Sequence, residues 1–315
     1  MANVNIRKAA MIGCGFVGSA SVYAMMQSGV FSEIVLIDAN QAKAEGEAMD
    51  IAHGVSFAKP TNIYAGTYDD ITDAAVIIIS AGAAQKPGET RLDLVHKNVG
   101  IFKSIIPEIS KRRCEGVILV VANPVDILTY AALKMSGFPA HRVIGSGTVL
   151  DSARFQYLLS EHLEIDARDI NAYIIGEHGD SEIAAWSIAN IAGIPIHNFC
   201  EMRGFMDHDV QTKRIADEVK NSAYTIIEKK GATYYGIGMS VTRIAEAIVR
   251  DEKAILPIST LLTGHYGIDD ICLSIPTIVG ANGAEAIAPF EIDEKEQQAL
   301  YQSSVALKKV IEEAL

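Results

Sequence analysis

From Arg7 to about Gly145, short apolar runs bounded by turn residues alternate with longer segments of helical spacing. The runs are KAAMIG, EIVLID, AAVIIISAG, GVILVVAN and RVIGSG. Each is apolar at consecutive positions, so the strand it forms must be covered on both faces, which is the condition of a parallel sheet clothed by helices. The segments between them, Phe16 to Ser28, Gln41 to Ala58, Arg91 to Arg112 and Pro124 to Ser136, carry helical periodicity, and Gly29 and Gly137 supply stop signals. Repeated βαβ units of this kind predict an α/β fold with a doubly wound parallel sheet. Past Gly145 the pattern changes to a helical stretch from Leu150 to Glu161, a strand-like NAYIIGEHGD, a mixed region to Asp209, a long amphipathic segment to Lys230 and a final helix to Leu315. A chain of 315 residues exceeds the size at which one core usually stops growing, so two closely packed domains are expected. They are placed at residues 1–145 and 146–315, the second of α+β type, with a helix near 232–250 packing back on the first.

Composition narrows the partners. Hydrophobic residues make up 49% and charged residues 21% of the chain, which excludes a disordered protein. With 27 basic and 39 acidic residues the formal charge is −12, a field that repels phosphate backbones and anionic headgroups, so neither nucleic acid nor membrane is an expected partner. An anionic ligand must then be drawn in by a few placed cations. Cys14, Cys114, Cys200 and Cys272 show no CxxC or metal spacing, as in a reducing compartment, and no metal site is expected. The opening MANVNIRKAAMIG lacks a secretory apolar region, and the longest apolar runs fall far short of the roughly 20 residues that span a bilayer, which points to the cytoplasm.

Gly13, Gly15 and Gly18 form a GxGxxG that follows a predicted strand and opens a predicted helix. In that context glycines allow a tight turn and close approach of a pyrophosphate to the backbone, while the helix N-terminus faces the phosphates. Asp38 ends the second run and is placed to accept both ribose hydroxyls, and its carboxylate would repel a 2′-phosphate, which favours NAD over NADP. The plainer alternative is a glycine turn with a solvated Asp at a strand end.

His178 ends an apolar run between Gly176 and Gly179. A histidine at a strand end is often structural. As a catalyst it would supply the proton that hydride transfer to a ketone requires, since imidazole titrates near neutrality. Asp151, in Leu150-Asp151-Ser152-Ala153-Arg154, could hold the other imidazole N–H. Arg154, three residues along the same helix, either pairs with Asp151 or grips a substrate carboxylate with its planar fork. The loop Gly82 to Arg91 leaves the C-terminal end of an apolar strand, where ligands sit in open α/β sheets. It is either a polar connection capped by Thr90 or a lid that brings Arg91 to the substrate carbonyl.

Taken together, GxGxxG with Asp38, QKPGETRLDLV, VANPVD, LDSAR and IIGEHGD occur in order along the chain. In this the sequence resembles the L-lactate/malate dehydrogenase superfamily from end to end, and within it is most similar to bacterial L-lactate dehydrogenases. The resemblance implies a Rossmann-type NAD-binding domain followed by a substrate domain, and reversible reduction of pyruvate to lactate by a cytoplasmic homotetramer serving anaerobic glycolysis. It implies His178 as acid/base, Asp151 as its partner, Arg154 as carboxylate clamp and Arg91 as the mobile-loop arginine. It further implies that Asn123 touches substrate and nicotinamide, that Thr233 lines the substrate pocket, and that Val17, Lys43, Tyr68, Gly82, Ala83 and Ser146 lie around the cofactor.

Three rivals remain at this level. Malate dehydrogenases differ by a cation at the selectivity position of the loop, which the resemblance aligns with Gln85, neutral here. A dehydrogenase for longer 2-hydroxy acids would share every motif, and a non-catalytic NAD-binding protein could share the fold. Many bacterial relatives are activated by fructose 1,6-bisphosphate through an arginine two residues after the clamp and a histidine seven before the catalytic one. Gln156 and Asn171 occupy those places, so insensitivity to that effector is expected.

Overall fold

The parallel half of the sheet is built from β1 (Asn5–Ile12), β2 (Glu33–Ile37), β3 (Asn62–Ala65), β4 (Ala74–Ile79), β5 (Val117–Val120) and β6 (Val143–Gly145). Between them run α1 (Phe16–Ser28), α2 (Gln41–His53), α3 (Arg91–Lys111) and α4 (Val125–Ser136). The computed structural model describes residues 4–84, 88–205 and 208–315. The spatial order β6-β5-β4-β1-β2-β3 places the switch of direction between β1 and β4, the position at which open α/β sheets bind ligands. Each apolar run feeds both faces. Ile77 and Ile79 of β4 pack with Val95 and Phe102 of α3 and Leu128 of α4. Val76 and Ile78, pointing the other way, pack with Val22 and Met25 of α1 and Ala48 of α2.

The structure departs from the sequence reading in four places. β3 forms over NIYA, where Ile63 alone is buried, because an edge strand needs little apolar surface and carries no continuous run. The second helical segment stops at His53 and continues as a 3₁₀ turn, Gly54–Phe57. NAYIIGEHGD is not one strand. It divides into β7 (Ile170–Asn171) and β8 (Ile174–Ile175), which pair in separate small sheets, and Gly176 at φ +90 turns the chain away. No strand is predicted from sequence over residues 254–287, where Pro257 and Pro276 interrupt the pattern.

The structure has three strands over those residues. The chain reaches them through α5 (Val149–Leu163), then β7, β8, β9 (Ile183–Ala184), β10 (Asn190–Ile191) and β11 (Ile194–Pro195). Helices α6 (Ile196–Arg203), α7 (His208–Lys230) and α8 (Tyr235–Val249) follow. Next come β12 (Ala254–Thr263), β13 (Asp269–Gly280) and β14 (Gly283–Ile287), and α9 (Glu294–Ala314) closes the chain. Pro257 and Pro276 are register partners across β12 and β13. β12 joins the parallel strands antiparallel, through Ser259 opposite Gly145 of β6, so one nine-stranded sheet crosses residue 145. Residues Val241 and Ile244 of α8 share the core of α1. Phe155 and Leu159 of α5 pack instead with Ile196 of α6 and Ile215 of α7 in an apolar cluster of their own. All four cysteines are buried as thiols, and no described helix is long and apolar enough to cross a membrane.

Candidate active site

Two cavities lie along the C-terminal ends of the parallel strands. The first, about 630 Å³, is walled in part by Gly13, Gly15, Asp38, Lys43, Tyr68 and Gly82. Gly13 takes φ +100, where an added Cβ would stand 2.5 Å from the Ala81 nitrogen, so the turn out of β1 requires glycine. At Gly15 an added Cβ would meet nothing within 4 Å among the described residues, leaving bare backbone against the cavity. No described side chain caps α1 and its first turn holds no acid, so the positive end of the helix faces the same space. Asp38 is held by two backbone donors, the N–H of Cys14 at 2.7 Å and that of Asn40 at 2.9 Å, one on each carboxylate oxygen. Each oxygen keeps a lone pair for a ribose hydroxyl. Open backbone for a pyrophosphate, a helix N-terminus and a fixed acid fit a dinucleotide without a 2′-phosphate. Val17, Gly18, Ala83 and Ser146 are not among the described residues that line this cavity: Gly18 and Ser146 are buried, and Ser146 donates its N–H to the Val120 carbonyl at 2.8 Å.

The second cavity, about 380 Å³, is lined by Leu94, Asn123, Asp151, Arg154, His178, Glu182, Lys220 and Tyr224 among others. Asp151 comes from the first turn of α5 and is 2% exposed. One of its carboxylate oxygens lies 2.6 Å from Nδ1 of His178, and the other accepts from Nη1 of Arg154 at 2.7 Å. The two readings of Arg154 are therefore compatible: it pairs with Asp151 through one nitrogen while its guanidinium borders the cavity. Burial disfavours the imidazolium, but the charge and hydrogen bond of Asp151 outweigh it, so the His178 ring is raised to about 9. Burial likewise opposes the Asp151 carboxylate, and His178 and Arg154 overcome it and hold its carboxyl below the usual range.

His178 is anchored from behind. Its backbone N–H donates to Asp126 at 2.8 Å, and the other Asp126 oxygen accepts from Ser259 of β12 at 2.6 Å and from Ser274 of β13 at 3.5 Å. Asp126, at 2% exposure, is pushed upward by burial, with these donors pulling the other way. The two cavities are tied together by Asn98 of α3. It accepts from the Ala83 N–H at 2.8 Å and donates to the Asn123 carbonyl at 2.6 Å.

Thr90 caps α3, accepting from the Asp93 N–H at 3.1 Å while Asp93 accepts from the Thr90 N–H at 3.0 Å, so the capped-connection reading of the loop describes its C-terminal end. Gln85 and the side chain of Arg91 lie outside the described residues. Thr233 is half-buried between α7 and α8 and is not among the described residues that line the second cavity. Sequence reasoning overlooked Asn98, Asp126, Glu182, Lys220 and Tyr224. A signal existed for Asn98, a polar residue on the helix face shared by Val95, Val99 and Phe102. Asp126 stood inside VANPVD without an assigned part, and Glu182 and Lys220 gave none.

Residues 7–145 match the lactate/malate dehydrogenase NAD-binding domain, and residues 148–315 match the lactate/malate dehydrogenase alpha/beta C-terminal domain. The chain belongs to the lactate/malate dehydrogenase family. Among relatives in this family it is 54% identical to the L-lactate dehydrogenase of Acetivibrio thermocellus over 98% of both chains. It is 53% identical to L-lactate dehydrogenase 1 of Clostridium acetobutylicum over 97% of both. Its fold is similar to that of the minor L-lactate dehydrogenase of Enterococcus mundtii in ligands-bound form, with a TM-score of 0.94 and 45% identity over 98% of each chain. The ligands-unbound form of that lactate/malate dehydrogenase family member gives a TM-score of 0.89.

Proposed function

We propose that this chain is an NAD-dependent L-lactate dehydrogenase that reversibly reduces pyruvate to (S)-lactate. The observation that carries the reading is the His178–Asp151–Arg154 constellation, which opens on one cavity beside a cavity suited to NAD. NAD, when bound, supplies the hydride donor and acceptor. His178 gives its proton to the carbonyl oxygen during reduction and recovers it in oxidation. Asp151 fixes the ring through Nδ1, leaving Nε2 for substrate, and keeps the ring charged at neutral pH. Arg154 pairs with the substrate carboxylate, Arg91 steadies the charge that develops on the carbonyl oxygen, and Asn123 and Thr233 border the substrate. Gln85 offers no cation to a second carboxylate. Around the cofactor we assign Gly13, Gly15, Val17, Gly18, Asp38, Lys43, Tyr68, Gly82, Ala83 and Ser146.

Phe16 and Tyr23 of α1, Met49 of α2 and Tyr235 and Met239 of α8 are all more than half exposed on neighbouring helices, a surface that supports self-association as a homotetramer. Buried thiols and the absence of a membrane-spanning helix among the described residues are compatible with a cytoplasmic enzyme of fermentative glycolysis. Residues 1–145 would bind NAD and 146–315 the substrate. The test is NADH consumption with pyruvate, oxaloacetate and 2-oxoisocaproate in parallel. Pyruvate should give the highest kcat/KM. Preference for oxaloacetate would make the chain a malate dehydrogenase, preference for 2-oxoisocaproate a dehydrogenase for longer acids, and no turnover with any would leave a binding protein.

A further inference from the structure

His178 has two carboxyl groups beside it in the cavity, and the mechanism uses one. Asp151, Glu182 and a ring nitrogen of His178 present ligand-capable atoms that all lie within 4.8 Å of one another. Glu182 leads into β9 and lines the same cavity, and its Oε1 is buried without a hydrogen-bond partner among the described residues. A buried carboxyl oxygen is ordinarily satisfied. One that is not, beside a ring that must gain and lose a proton, interacts with that ring through charge.

We propose that Glu182 is a positioning residue for proton transfer, whose carboxylate works with Asp151 to set the proton affinity of His178 and so the pH range over which the enzyme reduces a 2-oxo acid. This rests on the reading of His178 as proton donor. The two acids differ in kind. Asp151 grips Nδ1 and is also locked by Arg154, whose charge favours its carboxylate alongside that of the ring. Glu182 has no such lock. Burial and the nearby Asp151 charge raise its carboxyl to about 7, against the pull of His178, Arg154 and Lys220.

Several elements bring charged groups to Glu182. α5 contributes Asp151 and Arg154, which hold each other. α7 contributes the exposed Lys220, and Tyr224, which donates to Asp180 in the turn before Glu182 at 3.1 Å. Asp126 of α4 accepts from the His178 backbone, and Glu177 accepts from Ser181 at 2.5 Å. Of the carboxyl groups on this turn, Glu182 is thus the one with a buried, unpartnered oxygen among the described residues and a place in the cluster around the ring. Because the two sites interact, each raises the other's affinity for its charged state, and loss of one charge must appear in the titration of the other.

The test is His178 followed by NMR in histidine-labelled protein without substrate, together with the pH profile of kcat/KM for pyruvate. In Glu182→Gln the His178 midpoint and the alkaline limit of kcat/KM should both move down by about one pH unit, the size expected of one nearby charge. Glu182→Asp should restore most of the shift. In the wild-type protein the His178 signal should carry a second inflection near pH 7, a readout that needs no variant to fold. An unmoved midpoint in Glu182→Gln, or a wild-type signal with one inflection only, overturns the proposal, even if kcat or KM changes. Failure of the wild-type protein to reduce pyruvate, with the NMR shifts present, would instead refute the reading of the activity.

Discussion

The Nδ1 atom of His178 stands 2.6 Å from one oxygen of Asp151, and Arg154 holds the other oxygen at 2.7 Å. One buried carboxylate thus holds both the ring of His178, the proposed proton donor, and, on the same helix, Arg154, the cation proposed to receive the substrate. The pair fixes the sign of the pH dependence. The ring is raised from 6.5 to about 9, so the protonated form needed for reduction persists through neutrality and is lost as pH rises through about 9. Measured over pH, kcat/KM for pyruvate should be flat and then fall near pH 9, while that for lactate, which needs the neutral ring, should rise to the same limit. An alkaline limit near the ordinary histidine value would mean that Asp151 does not act on the ring.

Much of this was legible in the sequence, and the rest was hidden for physical reasons. The strands apolar on both faces announce themselves because burial from two sides leaves no polar position, as in AAVIIISAG. β3 needs one buried isoleucine, and β12 and β13 pair across Pro257 and Pro276, so neither obeys the rule by which strands are read. In the site, His178, Asp151 and Arg154 were readable because their spacing sits inside motifs. Asp126 and Glu182 depend on which segments meet in space: Asp126 reaches serines more than 130 residues away, a contact no local pattern encodes.

Arg154→Lys should impair substrate binding. An ammonium lacks the planar fork, and loss of one charge-assisted hydrogen bond corresponds to a rise in KM for pyruvate of roughly tenfold or more. Steady-state kinetics at fixed NADH measure it. An unchanged KM would reassign Arg154 to pairing with Asp151 alone.

Gln85→Arg should shift preference toward oxaloacetate. The new guanidinium would pair the second carboxylate and stand uncompensated beside the methyl of pyruvate, so attraction and rejection act together. The ratio of kcat/KM for oxaloacetate over pyruvate should rise at least about tenfold, the worth of one charge-assisted hydrogen bond. A ratio that barely moves would remove this loop from substrate selection.

Fructose 1,6-bisphosphate should leave the enzyme unaffected. Gln156 donates to the Ala172 carbonyl at 3.1 Å and Asn171 to the Asn190 side chain at 3.3 Å, so both neutral amides are engaged locally and neither brings a charge to a phosphate. An effector without differential affinity for the active state cannot shift the equilibrium. Pyruvate saturation curves with and without millimolar effector should superimpose, and Gln156→Arg with Asn171→His should create a response. A severalfold fall in half-saturation for the unmodified chain would contradict this.

The most direct test of the central claim is His178→Asn, assayed for both turnover and cofactor binding. Asn removes the titrating ring, whereas the cavity built on Gly13, Gly15 and Asp38 is left untouched. The rate at saturating pyruvate should fall by about 10²–10⁴-fold, the usual worth of general acid/base catalysis, while the Kd for NADH, read by fluorescence titration, stays at the wild-type value. Retention of more than roughly a tenth of the wild-type rate would contradict the assignment of His178 as the proton donor.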